Sequence, residues 1–447
     1  MSETYDLIIR GGEVVSHSGR AFADIGVRGG RIAHIGALSG AQAGEVFDAS
    51  GLTVLPGVID TQVHFREPGL THKEDFESGS RAAALGGVTA VFEMPNTDPP
   101  TTTAEAITDK VTRARGRFHV DHAFYAGATM ENADRLYEIE RTPGCCGVKV
   151  FMGSSTGTLL VATDEGVEAV LRGARRRVTF HSEDEARLKA RKALAREGDV
   201  TSHPEVRDAE AARLCTERLL RIARKVGARI HVLHVSTADE IPLLAAAKDF
   251  ASVEITPQHL TLAAPEAYQR LGTYAQMNPP IRSAEHRDGL WEAIQQSVAD
   301  VIGSDHAPHT HEEKAKTYPA SPSGMPGVQT LVPIMLNHVA EGRLTLERFV
   351  DLTSAGAQRV FNIAGKGRIA RGYDADFTIV DLKAKRTITN DWIATKAGWT
   401  PFDGMEVTGW PIATIVRGGL VMRDDDIISG GTGAPVRFAE TLIGGGA

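Results

Sequence analysis

Eight short apolar runs, separated by longer amphipathic stretches, constrain the fold of this chain more than any other feature of its sequence. The runs lie at residues 53–64, 88–94, 119–127, 147–152, 177–182, 228–236, 251–257 and 300–305. Stretches with helical periodicity, such as 77–87, 209–227 and 286–299, lie between them. This alternation is typical of parallel strands joined by crossover helices. Eight such units predict an α/β fold, a (β/α)8 TIM-type barrel, with its functional residues at the carboxyl ends of the strands.

Two glycine-punctuated segments bracket the eight units. The first 55 residues and the last part of the chain both read as short strands separated by glycine turns. Because a barrel takes about 250 of the 447 residues, a small second domain is expected. We predict that residues 56–364 form the barrel and that 1–55 and 365–447 meet in one small β domain.

Charge, hydropathy and cysteine content exclude several classes of function. The chain has 49 Lys and Arg against 57 Asp and Glu, a formal net charge of −8, and no basic stripe, so a nucleic-acid partner is not expected. No run approaches the roughly 18 apolar residues of a membrane span. Three cysteines, two of them adjacent, cannot form a disulfide framework, and the first residues do not resemble a signal peptide. We therefore expect a cytoplasmic protein.

Residues of the kinds that bind metals stand at the ends of five of the predicted strands. They are His64, Lys149, His181, His234 and Asp305. Each has an ordinary alternative: a histidine hydrogen-bonded inside the barrel, a lysine in a salt bridge, an aspartate capping a helix. Because the carboxyl ends of barrel strands share one rim, all five should converge. Imidazole and carboxylate suit zinc and related divalent metals, so a metal site with one position open for water is predicted.

Lys149 is unexpected among these residues, because an ammonium group repels a metal cation. It becomes a suitable ligand if it has reacted with CO2, since the resulting carbamate is an anion whose two oxygens can bridge two metal ions. A bound metal lowers the pKa of its water to about 7, which makes hydroxide available at neutral pH. We therefore predict a hydrolytic site with a carboxylated lysine.

Seven stretches of the chain resemble the amidohydrolase superfamily and, within it, the dihydroorotase family. They are "VHFREPG", "GGVTAVFEMPNT", "GVKVFMG", "HVLHVST", "MNPPIR", "SDHAPH" and "SGMPGVQT". The resemblance implies a β/α barrel flanked by a small β-sandwich built from both termini. It also implies hydrolysis of cyclic amides with one or two metal ions.

The same resemblance assigns the metal ligands. It makes His64 and Asp305 ligands of the more buried ion, and His181 and His234 ligands of the second. Carboxylated Lys149 would bridge the two ions. Asp305 would also be the catalytic base and acid, taking the proton of the attacking water and returning it to the leaving nitrogen.

The substrate implied by the resemblance is a small anionic ring, with the reversible cyclisation of N-carbamoyl-L-aspartate to L-dihydroorotate and water in pyrimidine synthesis as the reaction. Arg66, Asn96 and His309 would bind its carboxylate, for which the planar fork of arginine is well suited. Asn278 and the backbone of 324–327 would meet the ring amides. Hydantoinases and allantoinases fit less well: the former have a tyrosine where this chain has Ser154, and the latter lack the arginine.

Gln62 departs from the family pattern, which has His-x-His on the first strand. One ligand of the buried metal is therefore missing. A catalytically silent scaffold for aspartate transcarbamoylase is the alternative, although such chains generally lose several ligands. A homodimer or homotetramer is the expected oligomeric state, because most soluble oligomers are symmetric.

Overall fold

A parallel sheet of eight strands, taken in sequence order, forms the centre of the molecule in the computed structural model, which describes residues 4–155 and 158–442. We label the strands β1 to β8: Val58–Val63, Val88–Glu93, Asp121–Gly127, Cys145–Phe151, Val178–His181, Ile230–Val232, Ala251–Ile255 and Val301–Ile302. The two outer strands meet where Val63 bridges His306, and His64 N donates to His306 O at 2.7 Å. The predicted barrel is confirmed.

The first apolar run differs from its prediction. It forms two strands rather than one, because Thr53–Pro56 joins a terminal sheet and β1 begins only at Val58. Gly57 lies between the two strands. A Cβ atom there would lie 2.3 Å from Thr89 Oγ1 and 2.8 Å from Asp376 Cβ, so the chain passes where only glycine fits.

The terminal segments form two further sheets, and both termini contribute strands to the larger one. A seven-stranded sheet has the order Asp426–Ile427, Gly419–Arg423, Glu406–Val416, Phe377–Thr387, Thr53–Pro56, Glu13–Ser16 and Gly19–Phe22. A four-stranded sheet has the order Arg31–Gly36, Asp24–Arg28, Thr4–Arg10 and Gln42–Asp48. Apolar residues of the two sheets, among them Ile9 and Phe377, share one buried cluster. The boundaries at residues 55 and 364 remain predictions.

Helices cover the barrel. The α-helices are Phe76–Leu85, Ala104–Ala114, Leu136–Ile139, Asp164–Gly173, Glu185–Arg191, His203–Val206, Ala209–Val226, Ile241–Ala245, Pro257–Thr261, Glu266–Leu271, Ala284–Gln295, His311–Lys314, Leu331–Ala340, Leu346–Val350, Gly356–Phe361 and Ala439–Leu442. The one predicted at 286–299 ends at Gln295, since Ser297 has a φ of 60° and leaves the helical conformation. Within 4–155 and 158–442, no helix has the length and apolarity to cross a membrane.

Candidate active site

A cavity lies at the carboxyl ends of the barrel strands and brings together eight of the nine residues predicted for the site. These are His64, Arg66, Asn96, Lys149, His181, His234, Asn278 and Asp305. The ninth, His309, stands directly behind Arg66, with its Nε2 atom 3.4 Å from Arg66 Nη2. Lys149 and His181 lie on barrel strands, and most of the others follow a strand end, so the shared rim of the barrel accounts for most of this convergence.

His181 and His234 form the first pair of candidate metal ligands. Nδ1 of His181 lies 3.1 Å from Nε2 of His234, and both rings are buried. Burial is the main cause that lowers the pKa of each ring, so both are neutral at physiological pH. Two imidazole nitrogens on one tetrahedral zinc ion would be about 3.3 Å apart, which matches the observed spacing. Behind this pair, Glu183 Oε2 lies 2.9 Å from His181 Nε2, where a carboxylate orients a ligating imidazole.

His64 and Asp305 form the second pair. His64 Nδ1 is 2.8 Å from Asn96 Oδ1, and in the tautomer with the proton on Nδ1 the ring donates there and leaves the Nε2 lone pair for a metal ion. That Nε2 atom faces Asp305 Oδ1 at 3.2 Å. Burial lowers the pKa of His64 to about 4, so the ring is neutral and one of its two nitrogens carries no proton. With Nε2 as that nitrogen, His64 and the Asp305 carboxylate would both be available to a cation between them.

Lys149, on β4, lies near both pairs, since its charge acts on the rings of His64, His181 and His234. The lysine is buried, and its Nζ atom has no hydrogen-bond partner among the described residues. Burial lowers its pKa to about 7. In the same part of the chain no three His, Cys, Asp or Glu side chains converge as a complete metal site. The donor set would therefore fit a metal if Lys149 supplied the missing ligand as a carbamate.

Gln62 takes the place of the absent imidazole and faces the cavity. Its Nε2 atom donates to Asp305 Oδ1 at 2.9 Å, while its Oε1 atom is buried without a hydrogen-bond partner in the described chain. The glutamine therefore contacts the candidate catalytic carboxylate directly. Its unpaired amide oxygen is the atom that could meet a metal ion or a water molecule.

Arg66 forms the cationic end of the cavity, and His309 lies behind it. Arg66 is buried and donates through Nε to Pro308 O at 3.3 Å. Burial lowers its pKa to about 10, so the guanidinium stays charged at neutral pH. Burial also lowers the pKa of His309 to about 3, so His309 contributes a neutral ring. A planar cation in a closed pocket is suited to a carboxylate.

Three candidate site residues have backbone conformations that residues other than glycine rarely adopt. The φ angles of Arg66, His234 and Asp305 are 63°, 36° and 44°. Each residue follows the end of a barrel strand, where the chain turns sharply across the rim. Such conformations concentrate at functional sites and are held there by the surrounding structure.

Sequence reasoning missed several residues around the cavity. Below it, burial raises the pKa of Asp60 to about 7 and that of Glu254 to about 8. Period-two alternation does place Asp60 on one face of the first strand with Gln62 and His64, but it does not distinguish a site residue from a buried structural one. Lys73 Nζ lies 3.2 Å from His309 Nδ1 and 2.9 Å from Glu313 Oε1. Both Lys73 and Glu313 lie outside the strands, so no periodicity could indicate them.

Comparison with known proteins assigns this fold and donor set to one family. The chain belongs to the amidohydrolase family, whose model matches residues 53–421. It is 40% identical over 424 residues to a dihydroorotase of Halobacterium salinarum, covering 93% of this chain and 96% of that one. It is 36% identical to an allantoinase of Rubrobacter xylanophilus, covering 97% and 98% of the two chains. The structure of an L-hydantoinase (dihydropyrimidinase) from Arthrobacter aurescens superposes with a TM-score of 0.92 at 32% identity, covering 97% and 99%.

These comparisons define the kind of enzyme. It is a cyclic amidohydrolase of the dihydroorotase type, with hydantoinases and allantoinases also among its close relatives. Members of the amidohydrolase family are typically metal-dependent, in agreement with the imidazole and carboxylate donors of the cavity.

Proposed function

We propose that this enzyme catalyses the reversible cyclisation of N-carbamoyl-L-aspartate to L-dihydroorotate and water. The observation that carries the proposal is the buried Arg66 guanidinium, which lines the same cavity as the candidate metal ligands. A charged guanidinium in this position suits a ring that bears a carboxylate. A neutral ring would leave the buried charge of Arg66 without an anionic partner from the substrate. The dihydroorotases among the relatives support the same choice.

We propose that the cavity holds one or two divalent ions, zinc first among them, although other divalent metals are compatible with these donors. His64 and Asp305 would bind one ion, and His181 and His234 the other, with carboxylated Lys149 between them. A bound metal would lower the pKa of water and polarise the carbonyl under attack.

Asp305 is proposed as the acid and base of the reaction. In the hydrolytic direction its carboxylate accepts a proton from the attacking water as the new C–O bond forms. It returns that proton to the ring nitrogen as the C–N bond breaks. Gln62 and His64 both lie against Oδ1, so we assign the proton transfer to Oδ2.

Arg66, Asn96 and His309 are proposed to bind the substrate carboxylate, and Asn278 a ring amide. Asn96 Oδ1 also lies 2.8 Å from His64 Nδ1, so the same side chain would hold the orientation of that imidazole ring. The proposed partners are thus small molecules. A cytoplasmic homodimer or homotetramer is our proposal for the assembly, and the three buried free cysteines agree with a reducing compartment.

The direct test is to incubate the zinc-loaded protein with dihydroorotate and with carbamoyl aspartate. We expect interconversion of the two and little action on neutral hydantoin or allantoin. Turnover of the neutral rings alone would favour a hydantoinase or allantoinase. Gln62 is the observation that favours a silent scaffold, for which we would expect no turnover and binding to aspartate transcarbamoylase instead.

Replacing Arg66 by Met is expected to weaken turnover of dihydroorotate. The substitution removes a charge-assisted contact worth roughly 1.5–3 kcal/mol, or about 10- to 150-fold in kcat/KM. The measurement is steady-state kinetics, with exposed Arg115→Met as the matched control. Activity within about twofold of the parent would show that Arg66 does not bind the carboxylate.

Replacing Gln62 by His is expected to restore the missing ligand of the buried site. Disturbing even an outer partner of a metal ligand costs about 10- to 100-fold in metal affinity, so an added imidazole should strengthen the site by at least about tenfold. Zinc titration should therefore fill the second equivalent at lower free zinc in Gln62→His than in the parent. Gln269 is exposed, so Gln269→His is the control for an imidazole added at the protein surface. Superimposable titrations of parent and Gln62→His would mean that Gln62 does not limit the metal site.

A further inference from the structure

His203 contacts the cavity wall from outside. It begins a short helix, His203–Val206, in the connection between β5 and the helix Ala209–Val226. Its ring is buried and packs edge-on against Tyr318, with the ring centroids 5.8 Å apart. On the side facing the cavity it meets Asn278, which lines the cavity itself.

The hydrogen bonds of His203 fix which ring nitrogen carries the proton. Its Nε2 atom lies 3.0 Å from Met277 O and 3.1 Å from Asn278 Oδ1. A backbone carbonyl can only accept, so Nε2 must be the protonated nitrogen. Burial, followed by the charge of nearby Arg207, lowers the pKa of His203 to about 4, so the ring is neutral and Nε2–H is its single donor.

This proton also fixes the orientation of the Asn278 amide. If the amide were rotated by 180°, its NH2 group would face the Nε2–H of His203, donor against donor. The observed orientation pairs Oδ1 with that donor and leaves the amide nitrogen at the other corner of the side chain. The backbone here has a separate support, because His259 Nε2 lies 3.1 Å from Pro279 O and 3.2 Å from Pro280 O. Removing His203 should therefore release the Asn278 side chain more than its backbone.

We propose that His203 is a positioning residue that holds Asn278 as a hydrogen-bond donor toward the substrate, so that this point of the cavity selects a ring carbonyl and not a ring N–H. The proposal rests on the proposed function and specifies the ring edge that Asn278 recognises. An amide free to rotate would present its oxygen to the ring carbonyl for part of the time, acceptor against acceptor. The hydrogen bond from His203 prevents this rotation and keeps the Asn278 amide nitrogen directed toward the ring carbonyl.

The test compares His203→Ala and His203→Gln as zinc-loaded enzymes. In His203→Ala we expect KM for dihydroorotate to rise about five- to tenfold, the size of one neutral hydrogen bond, while kcat and zinc content stay near the parent values. In His203→Gln the amide N–H2 can occupy the place of Nε2–H, so KM should return to within about twofold of the parent. His286→Ala is the control, a half-buried histidine that accepts from Ala238 N on the outer face.

A second measurement does not depend on turnover. The 15N shifts of histidine side chains in selectively labelled parent protein report the tautomer of His203, whose signal is the one lost in His203→Gln. We expect the Nε2–H form, and the Nδ1–H form would overturn the proposal. A fall of kcat and zinc content in His203→Ala without rescue by glutamine would also overturn it, since His203 would then be mere structural support. Absence of dihydroorotate turnover in the parent would refute the proposed function, whereas the tautomer would still decide the role of His203.

Discussion

Asp305→Asn should lower kcat for dihydroorotate by about 10²- to 10⁴-fold, the contribution of a positioned acid and base. Asparagine has the shape of aspartate but cannot take up the proton of the attacking water. It also tolerates the left-handed backbone at this position, where φ is 44°, so the fold should persist. The buried site should lose zinc affinity as well, because an amide oxygen is a weaker ligand than a carboxylate.

Steady-state kinetics, zinc content and thermal unfolding of the same preparation test this expectation. Exposed Asp391→Asn is the matched control and should resemble the parent. If zinc-saturated Asp305→Asn kept kcat within about tenfold of the parent, another group would have to move the proton.

Lys149→Met should lose the tight binding of the proposed zinc ions and, with it, turnover. The thioether side chain has a similar length but no amine that can react with CO2. Since loss of an outer partner alone costs about 10- to 100-fold, loss of a shared ligand should lower kcat/KM by at least about 100-fold. The measurements are zinc content after dialysis and the signal of a carbamate carbon in protein exposed to 13C-labelled CO2. Exposed Lys316→Met is the control.

The pH dependence of this carboxylation follows from burial. Only the neutral amine attacks CO2, and burial lowers the pKa of Lys149 to about 7 from the ordinary value near 10.5. At a constant concentration of dissolved CO2, the rate at which metal-free protein takes up the label should therefore rise with pH below 7 and level off above it. A rate that continued to rise toward pH 10 would indicate an ordinary lysine. Wild-type levels of zinc in Lys149→Met would contradict the bridging role itself.

The barrel and the convergence of its metal-type residues could be predicted from sequence because both follow from local rules. Side chains alternate along each strand, and all strands of a parallel barrel end on one rim. These rules place His64, Lys149 and His181 together without reference to tertiary contacts. The imidazole and carboxylate groups then indicate a divalent metal ion. The substrate could be inferred only from the resemblance to known motifs.

The parts that could not be predicted depend on contacts between distant segments. The break at Gly57 exists because the chain passes close to Thr89 and Asp376, which a periodicity count cannot detect. Lys73 reaches His309 across 236 residues of sequence. His203 likewise fixes Asn278 from a connection with no strand periodicity of its own. Such partners become visible only when the loops are placed in space.

The positive φ angles of Arg66, His234 and Asp305 imply a conflict between heat resistance and activity in this enzyme. Conformations of this kind cost about 1–3 kcal/mol each, and domains are stable by only about 5–15 kcal/mol. Glycine would adopt these angles without strain. Variants selected for thermal stability alone should therefore gain glycine at these positions. Each such substitution would remove a group proposed for the site: the Arg66 guanidinium, the His234 imidazole or the Asp305 carboxylate.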